Sequence, residues 1–428
     1  MSIVFFWIFL ACMAIGVPVV FALAFGPLVG FIVEDRWTFL HMLPQRLFVG
    51  INVFPLLAIP LFVLAGELMN VGGITQRLVD FSQKLVGHLR GGLGHVTIVS
   101  GTVFSGISGS AVADASAIGS ILIPGMAKEG YHRSYAAAIT AATTVLGPII
   151  PPSIIMVIYA YIMQLNVAAL FAAGCIPGLI IAIGLMLANY VVARQRKYPV
   201  AERRAPAREV LASLKGAIWA LIAPFLILGG ILGGVVTPTE AAAAAVVYAL
   251  LVSLFVTRDL PIGELPNILY RTAVISSAIL LVVGTATIFA WLTSLSGFTN
   301  SLGQTLFGLT RDPYLILFIV NMILFIAGMF LDAGPAILIL GPILGPTLAQ
   351  LGVDPLHLAI VMCVNLSLGL ATPPMGLLLF VVSAISRVTV LEISKQMLPF
   401  YLVHISVIFL ITYVPEVALW LPRVLGFL

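Results

Sequence analysis

Two kinds of irregular segment in this sequence carry residues suited to binding small ions and polar solutes, and each kind occurs twice. The first is a run of small and hydroxyl-bearing residues, Phe104-Ser105-Gly106-Ile107-Ser108-Gly109-Ser110, matched later by Ala327-Gly328-Met329-Phe330-Leu331-Asp332-Ala333-Gly334-Pro335. Glycine lets a backbone reverse in a tight space, and Ser or Asp caps a helix that restarts there. The second is a proline pair inside an apolar stretch, Leu146-Gly147-Pro148-Ile149-Ile150-Pro151-Pro152-Ser153 and Leu368-Gly369-Leu370-Ala371-Thr372-Pro373-Pro374-Met375. Adjacent prolines withdraw two amide donors and push the preceding residue out of helical geometry. The carbonyl oxygens freed in this way need a partner in apolar surroundings. Hard oxygen ligands suit a small alkali cation. For one such segment alone, a kinked helix with no ligand is an equally good reading. Two copies, each following a Gly/Ser/Asp tip at matching distance, favour a pair of cation sites.

The charged residues sharpen this picture. All twenty Lys and Arg lie near the ends of apolar stretches, so no cation waits mid-stretch for an anionic solute. A solute carboxylate would rely on half-helix N-termini near Ser108–Ser110 and Asp332–Pro335, together with bound cations. Asp114 and Asp332 are the acids nearest the middle of the apolar stretches, where ionisable groups are costly and often functional. Each also has a plain alternative role, capping or bracing a half-helix. Glu67, nearer a stretch end, reads as structural. Thr237-Pro238-Thr239-Glu240 has the spacing of a capping box before an alanine run, an architectural feature. Gly106-Ile107-Ser108-Gly109 matches the G-x-S-G nucleophile pattern of rhomboid-type intramembrane proteases, with His404 as a nominal base. That pattern is short in a glycine-rich chain and leaves the duplication unexplained. No G-x-x-x-x-G-K-[ST] sequence occurs, so ATP hydrolysis through a P-loop is excluded. Cys12, Cys175 and Cys363 stand singly, without metal spacing. The chain reads as a non-enzyme.

The elements that must hold these segments are membrane helices. Of 428 residues, 61% are hydrophobic and 8% charged, against about 25% charged in a soluble domain. Apolar runs long enough to cross lipid, about 20 residues each, recur from end to end. Ten spans are expected at roughly 2–15, 17–33, 50–72, 132–164, 167–194, 215–235, 239–257, 272–295, 355–385 and 398–425. Two further apolar stretches, 91–127 and 312–349, read as re-entrant hairpins, and the proline pairs make 132–164 and 355–385 broken helices. Non-helical backbone at that depth is tolerated only within protein or beside water. No Lys or Arg precedes Arg36, so the N-terminus lacks a signal peptide's basic region and reads as a retained helix.

A shift of 222 residues superposes Gly106 on Gly328, Gly119 on Gly341, Pro124 on Pro346, Gly130 on Gly352, Leu146-Gly147 on Leu368-Gly369 and Pro151-Pro152 on Pro373-Pro374. Such self-similarity dictates architecture. Residues 1–194 form one repeat, 195–214 a polar cytoplasmic linker and 215–428 the second repeat. An odd number of spans per repeat makes the two halves antiparallel, an inverted repeat of the kind secondary transporters use. With the N-terminus outside, only Arg36, Arg46, Arg311 and Arg423 of the twenty Lys and Arg fall outside. This positive-inside bias fits a multi-pass protein of a bacterial inner membrane. The net charge of +4 therefore reports orientation, with lipid and not nucleic acid as surroundings.

SGISGSAVADASAIGSILIP, LGPIIPPS, TPTEAAAAA and NLSLGLATPPMG, in this order and spacing, resemble the large membrane (M) subunit of the TRAP (tripartite ATP-independent periplasmic) transporters over essentially the whole chain. The resemblance implies an all-α, elevator-type secondary transporter that takes up a small anionic solute, of the carboxylate class, with co-transported sodium. It implies no organic cofactor. It also implies two partners, a small four-helix membrane subunit and a periplasmic substrate-binding protein. Carried over by motif, one sodium site falls on Ser105, Ser108, Gly147, Ile150 and Pro152, and the other on Gly328, Gly369, Thr372 and Met375. Ser110 and Asp332, at equivalent places in the two tips, are the substrate-binding candidates. A single-component sodium-coupled transporter of related architecture is the alternative. The solute itself is not identified by the fold.

Overall fold

Residues 4–199, 204–310 and 312–428 are described by the computed structural model, and among them the only regular elements are helices. Arg311, expected on the outer face, and residues 200–203 of the linker lie outside the described residues. The chain opens with α1 (Val4–Ala14) and α2 (Val19–Val33), which pack on each other. They lie where spans are expected at 2–15 and 17–33, and Phe5 and Phe9 of α1 meet Phe289. Next come α3 (Trp37–Leu40), α4 (Met42–Ile51), α5 (Ala58–Val71) and α6 (Ile74–Val86). Helix α6 lies outside the apolar stretches because it is amphipathic. It buries Ile74, Leu78 and Val79, while Arg77 and Lys84 bond Asp259 and Glu209 across the fold.

The first irregular region then follows as α7 (Gly92–Ser108), α8 (Ala111–Lys128), α9 (Arg133–Thr144), α10 (Ile154–Met163) and the long α11 (Val167–Gln195). After the linker, α12 (Ala207–Leu232), α13 (Pro238–Leu251) and α14 (Leu265–Ser296) form a second set of long helices. Helix α13 starts at the expected capping box, with Thr237 and Glu240 bonded reciprocally. It is followed by α15 (Phe298–Leu309), α16 (Pro313–Phe330), α17 (Ala333–Ala349), α18 (Pro355–Gly369), α19 (Leu377–Ser386), α20 (Val390–Tyr413) and α21 (Glu416–Val424). The span expected at 398–425 is thus two helices. The chain leaves helical geometry at Val414, before Pro415, and α21 carries an exposed Arg423–Glu416 ion pair. The span expected at 272–295 begins earlier, since α14 runs from Leu265.

Seven helical segments among the described residues are long and apolar enough to cross a membrane: Phe54–Val71, Val167–Gln195, Ala207–Leu232, Pro238–Val256, Ile262–Ser296, Pro313–Phe330 and Val390–Tyr413. The chain is an all-α polytopic membrane protein of the inverted-repeat type, with two helical hairpins and two broken helices. The hairpins are α7–α8 and α16–α17, and the broken helices are α9/α10 and α18/α19. Helices α7 to α11 recur as α16 to α20 at close to the 222-residue offset. The cis peptides Pro151–Pro152 and Pro373–Pro374 recur at the same offset.

The packing is crosswise. The return arm α8 lies on α19 of the other half, and α17 lies on α10, while α20 bridges α9 and α11. Within each half the entering arm packs on the first part of the broken helix, α7 on α9 and α16 on α18. Small residues make this possible: Ala136, Ala137, Ala138, Ala141 and Ala142 of α9 are all fully buried, as close helix approach in lipid requires. Around this interlocked body, α5 packs on α13, α6 on α12, and α2 and α4 on α14.

Candidate functional site

The first hairpin turns at Gly109, whose φ of +63° suits a residue without a Cβ. A Cβ there would lie 2.6 Å from the Pro152 carbonyl oxygen, so the tip presses directly on the proline linker of the broken helix. Helix α8 restarts with Ser110 as its N-cap, accepting from the Ala113 amide. Across from it, Ser153 caps α10, accepting from the Met156 amide at 3.3 Å and donating to the Pro148 carbonyl at 2.6 Å. That second bond clamps the linker into a loop. Ser105, Ser108, Gly147 and Pro152 are all buried here. A Cβ on Gly147 would meet the Ala111 amide at 2.8 Å and Asp114 Oδ2 at 2.9 Å. The Ile150 amide bonds Leu146 at 2.8 Å, and its half-buried side chain packs against Gly178 of α11.

Asp114 is the residue at this tip whose part the sequence understates. It is fully buried, and its two carboxylate oxygens accept one hydroxyl each, from Ser105 at 2.7 Å and from Ser108. The sequence alone offers Asp114 as a functional acid or as a residue that caps or braces a half-helix, and the cap is Ser110. The signal available was its spacing: nine residues after Ser105 and six after Ser108, across a tip that folds the two arms together.

The second hairpin closes differently. Its tip residue Leu331 is extended, and Asp332 caps α17 by accepting from the Ala333 amide at 2.8 Å. Gly328 and Gly369 meet in backbone contact. A Cβ on Gly328 would lie 3.2 Å from the Gly369 Cα and 3.2 Å from the Leu366 carbonyl, and one on Gly369 would overlap the Gly328 peptide. Thr372 is buried one turn on, donating its hydroxyl to the Leu368 carbonyl at 2.9 Å. Met375, at the far end of the linker, is 51% exposed. Below the Gly328–Gly369 contact, Asn365 donates to both the carbonyl and the side chain of Asn321, at 3.1 and 2.8 Å, pinning α18 to α16.

Between the two tips lies a cavity of about 250 Å³. Ser110 and Asp332 both line it, with Pro148 and Gly334 beside them and Ile279 and Val282 of α14 forming the opposite wall. The two substrate candidates are thus brought to one space, next to both proline linkers. The side chain of Asp332 is open to the cavity. The protease pattern is not assembled: Ser108 is bonded to Asp114, and His404 Nε2 engages the Ala142 carbonyl at 3.1 Å. Among the described residues no group of His, Cys, Asp and Glu could hold a metal ion in the manner of a zinc or iron site.

Residues 6–417 match the family model for the DctM component of the tripartite ATP-independent periplasmic transporters. The chain is 41% identical over 381 residues to the C4-dicarboxylate TRAP transporter large permease protein DctM of Pseudomonas aeruginosa, covering 89% of each chain. It is 37% identical over 408 residues to the sialic acid TRAP transporter large permease protein SiaM of Vibrio cholerae, covering 95% of each. Among solved structures, the YdaH transporter of Alcanivorax borkumensis superposes with a TM-score of 0.62 at 15% identity, over 92% of this chain and 89% of that one. At that identity the likeness concerns the fold alone.

Proposed function

This chain belongs to the DctM-component family of tripartite ATP-independent periplasmic (TRAP) transporters, an inner-membrane permease and not an enzyme, and from that membership we propose that it imports a small anionic solute of the carboxylate class by coupling it to inward sodium flow. One observation carries the reading: each broken helix presents a glycine-lined linker to a hairpin tip, Gly147 against the Ser110–Asp114 turn and Gly369 against Gly328. Both linkers hold carbonyls that no helix satisfies, beside Ser105 and Ser108 in one half and Thr372 in the other. We assign one sodium ion to Ser105, Ser108, Gly147, Ile150 and Pro152, and a second to Gly328, Gly369, Thr372 and Met375. The solute occupies the cavity between Ser110 and Asp332, its negative charge met by two half-helix N-termini and by the ions beneath them.

In this reading residues 1–194 and 215–428 are the two inverted repeats, and 195–214 is a cytoplasmic linker. The interlocked body of α7–α11 and α16–α20 carries the solute across as one piece, an elevator movement against the frame built around α5, α12, α13 and α14. A small four-helix membrane subunit steadies that frame, and a periplasmic binding protein delivers the solute. The test is reconstitution of all three components in liposomes, with C4-dicarboxylates and sialic acid as probe solutes because relatives are named for them. Uptake should require an inward sodium gradient. Undiminished uptake after replacing sodium with potassium on both sides would remove the sodium coupling.

A further inference from the structure

We propose that Asp114 is the positioning residue and fixed counter-charge of the first sodium site, so that the two sites are electrostatically unequal. This rests on the sodium reading above. A serine hydroxyl has one proton to donate and two lone pairs. Ser105 and Ser108 each spend that proton on a different oxygen of the Asp114 carboxylate. Their lone pairs are thereby turned away from Asp114, the orientation a cation requires of a hydroxyl ligand. Ser108 is held further by accepting the Ser110 amide at 3.1 Å. Gly147 brings the linker backbone to the same carboxylate edge, where a side chain would collide with Oδ2.

Helix capping does not account for Asp114, because Ser110 caps α8. Ion pairing within the protein does not account for it either, since no ion pair among the described residues includes it. A fully buried carboxylate without a counter-ion is costly, and a monovalent cation held by Ser105 and Ser108 supplies one. The internal repeat gives an independent argument. At the 222-residue offset the equivalents of Ser105, Ser108 and Asp114 are Ala327, Phe330 and Ala336. The three residues are present together in the first half and absent together from the second, as expected of a unit. The second site is left with carbonyl dipoles and the Thr372 hydroxyl.

The experiment uses the full chain with its membrane partner, purified in choline medium, and reads radioactive sodium binding and melting temperature. Wild type should bind two ions with different affinities. Asp114→Asn should weaken one of them at least tenfold and leave the other, and Gly369→Val should do the reverse. The sodium-free melting temperature separates positioning from bracing. A residue that merely braces the hairpin lowers it on substitution. A residue that awaits a cation leaves it unchanged or raises it, while the stabilisation on adding sodium is lost. Two unaltered binding phases in Asp114→Asn would overturn the proposal. If Asp114→Asn does not fold, the double variant Ser105→Ala, Ser108→Ala keeps the carboxylate, and unchanged binding there overturns it equally. Absence of sodium binding by the wild type would instead sink the sodium reading, and this proposal with it.

Discussion

Tyr401 donates its hydroxyl to the carbonyl of Ala371 at 2.6 Å, in the middle of the second proline linker. One turn further along α20, His404 engages the carbonyl of Ala142, near the end of α9 in the first broken helix. One face of one helix thus holds backbone oxygens of both halves. Helix α20, the equivalent of α11, accordingly packs on α9 and α11 of the first half as well as on α18 and α19 of its own. It also means that some linker carbonyls are spoken for by protein, so the oxygens left for cations are a selected set.

Replacing Tyr401 by Phe tests that selection. The ring keeps its packing while the Ala371 carbonyl loses its donor. A neutral hydrogen bond contributes about 1 kcal/mol, and about 1.4 kcal/mol is tenfold in an equilibrium constant. The half-saturating sodium concentration for uptake should rise about three- to tenfold, with expression and solute affinity of the binding protein unchanged. A sodium curve identical to wild type would show that Tyr401 has no part in shaping the linker.

The topology makes a second prediction. With the linker inside and the C-terminus outside, an impermeant maleimide applied to intact spheroplasts should label Leu428→Cys, exposed after α21, and spare Arg204→Cys. The pair α1 and α2 does not disturb this, because two helices that both cross, or both stay on one side, leave the chain on the side where it began. Likewise α21, separated from α20 at Val414 and Pro415, follows the last crossing. Strong labelling at 204 with none at 428 would reverse the orientation of every element between them.

The hairpins and broken helices were legible because Gly and Pro state backbone geometry directly. The stretches 91–127, 132–164, 312–349 and 355–385 fall within two residues of the helix ends observed, and the duplication confirmed each half against the other. Hydropathy misled at helix ends: it merged α20 with α21 and started α14 late. At the tips, types and spacing placed Ser105, Ser108, Gly147, Gly328 and Gly369 in regions that do come together. They did not reveal which groups bond each other. Asp114 meets the serines only because the chain reverses at Gly109, and the tie from Tyr401 to Ala371 spans thirty residues of sequence through a packing choice that no local pattern encodes.

A third prediction concerns assembly. Nothing in the described chain resembles a soluble capture module, and the proposed partners include one. Liposomes containing this chain alone should take up no solute, and adding the small membrane subunit without the binding protein should not restore uptake. All three together should. Robust sodium-driven uptake by the chain alone would favour a single-component transporter.

The last prediction addresses the second site. Gly369 and Gly328 are in backbone contact, so Gly369→Val must push the hairpin away from the linker by more than a side-chain adjustment allows. Sodium dependence should be lost or grossly weakened, even if the protein still assembles. Thr372 allows a finer test. Its proton goes to the Leu368 carbonyl, and a threonine that bonds four residues back in this way is also an ordinary helix-end feature. Thr372→Val keeps the shape and removes the oxygen, whereas Thr372→Ser keeps the oxygen and trims a methyl. If the hydroxyl is a ligand, Val should raise the half-saturating sodium concentration about tenfold or more, equivalent to about 1.4 kcal/mol, and Ser should stay near wild type. If both variants keep the wild-type sodium curve, Thr372 only shapes the helix end. If Gly369→Val does so as well, no sodium ion binds at this linker.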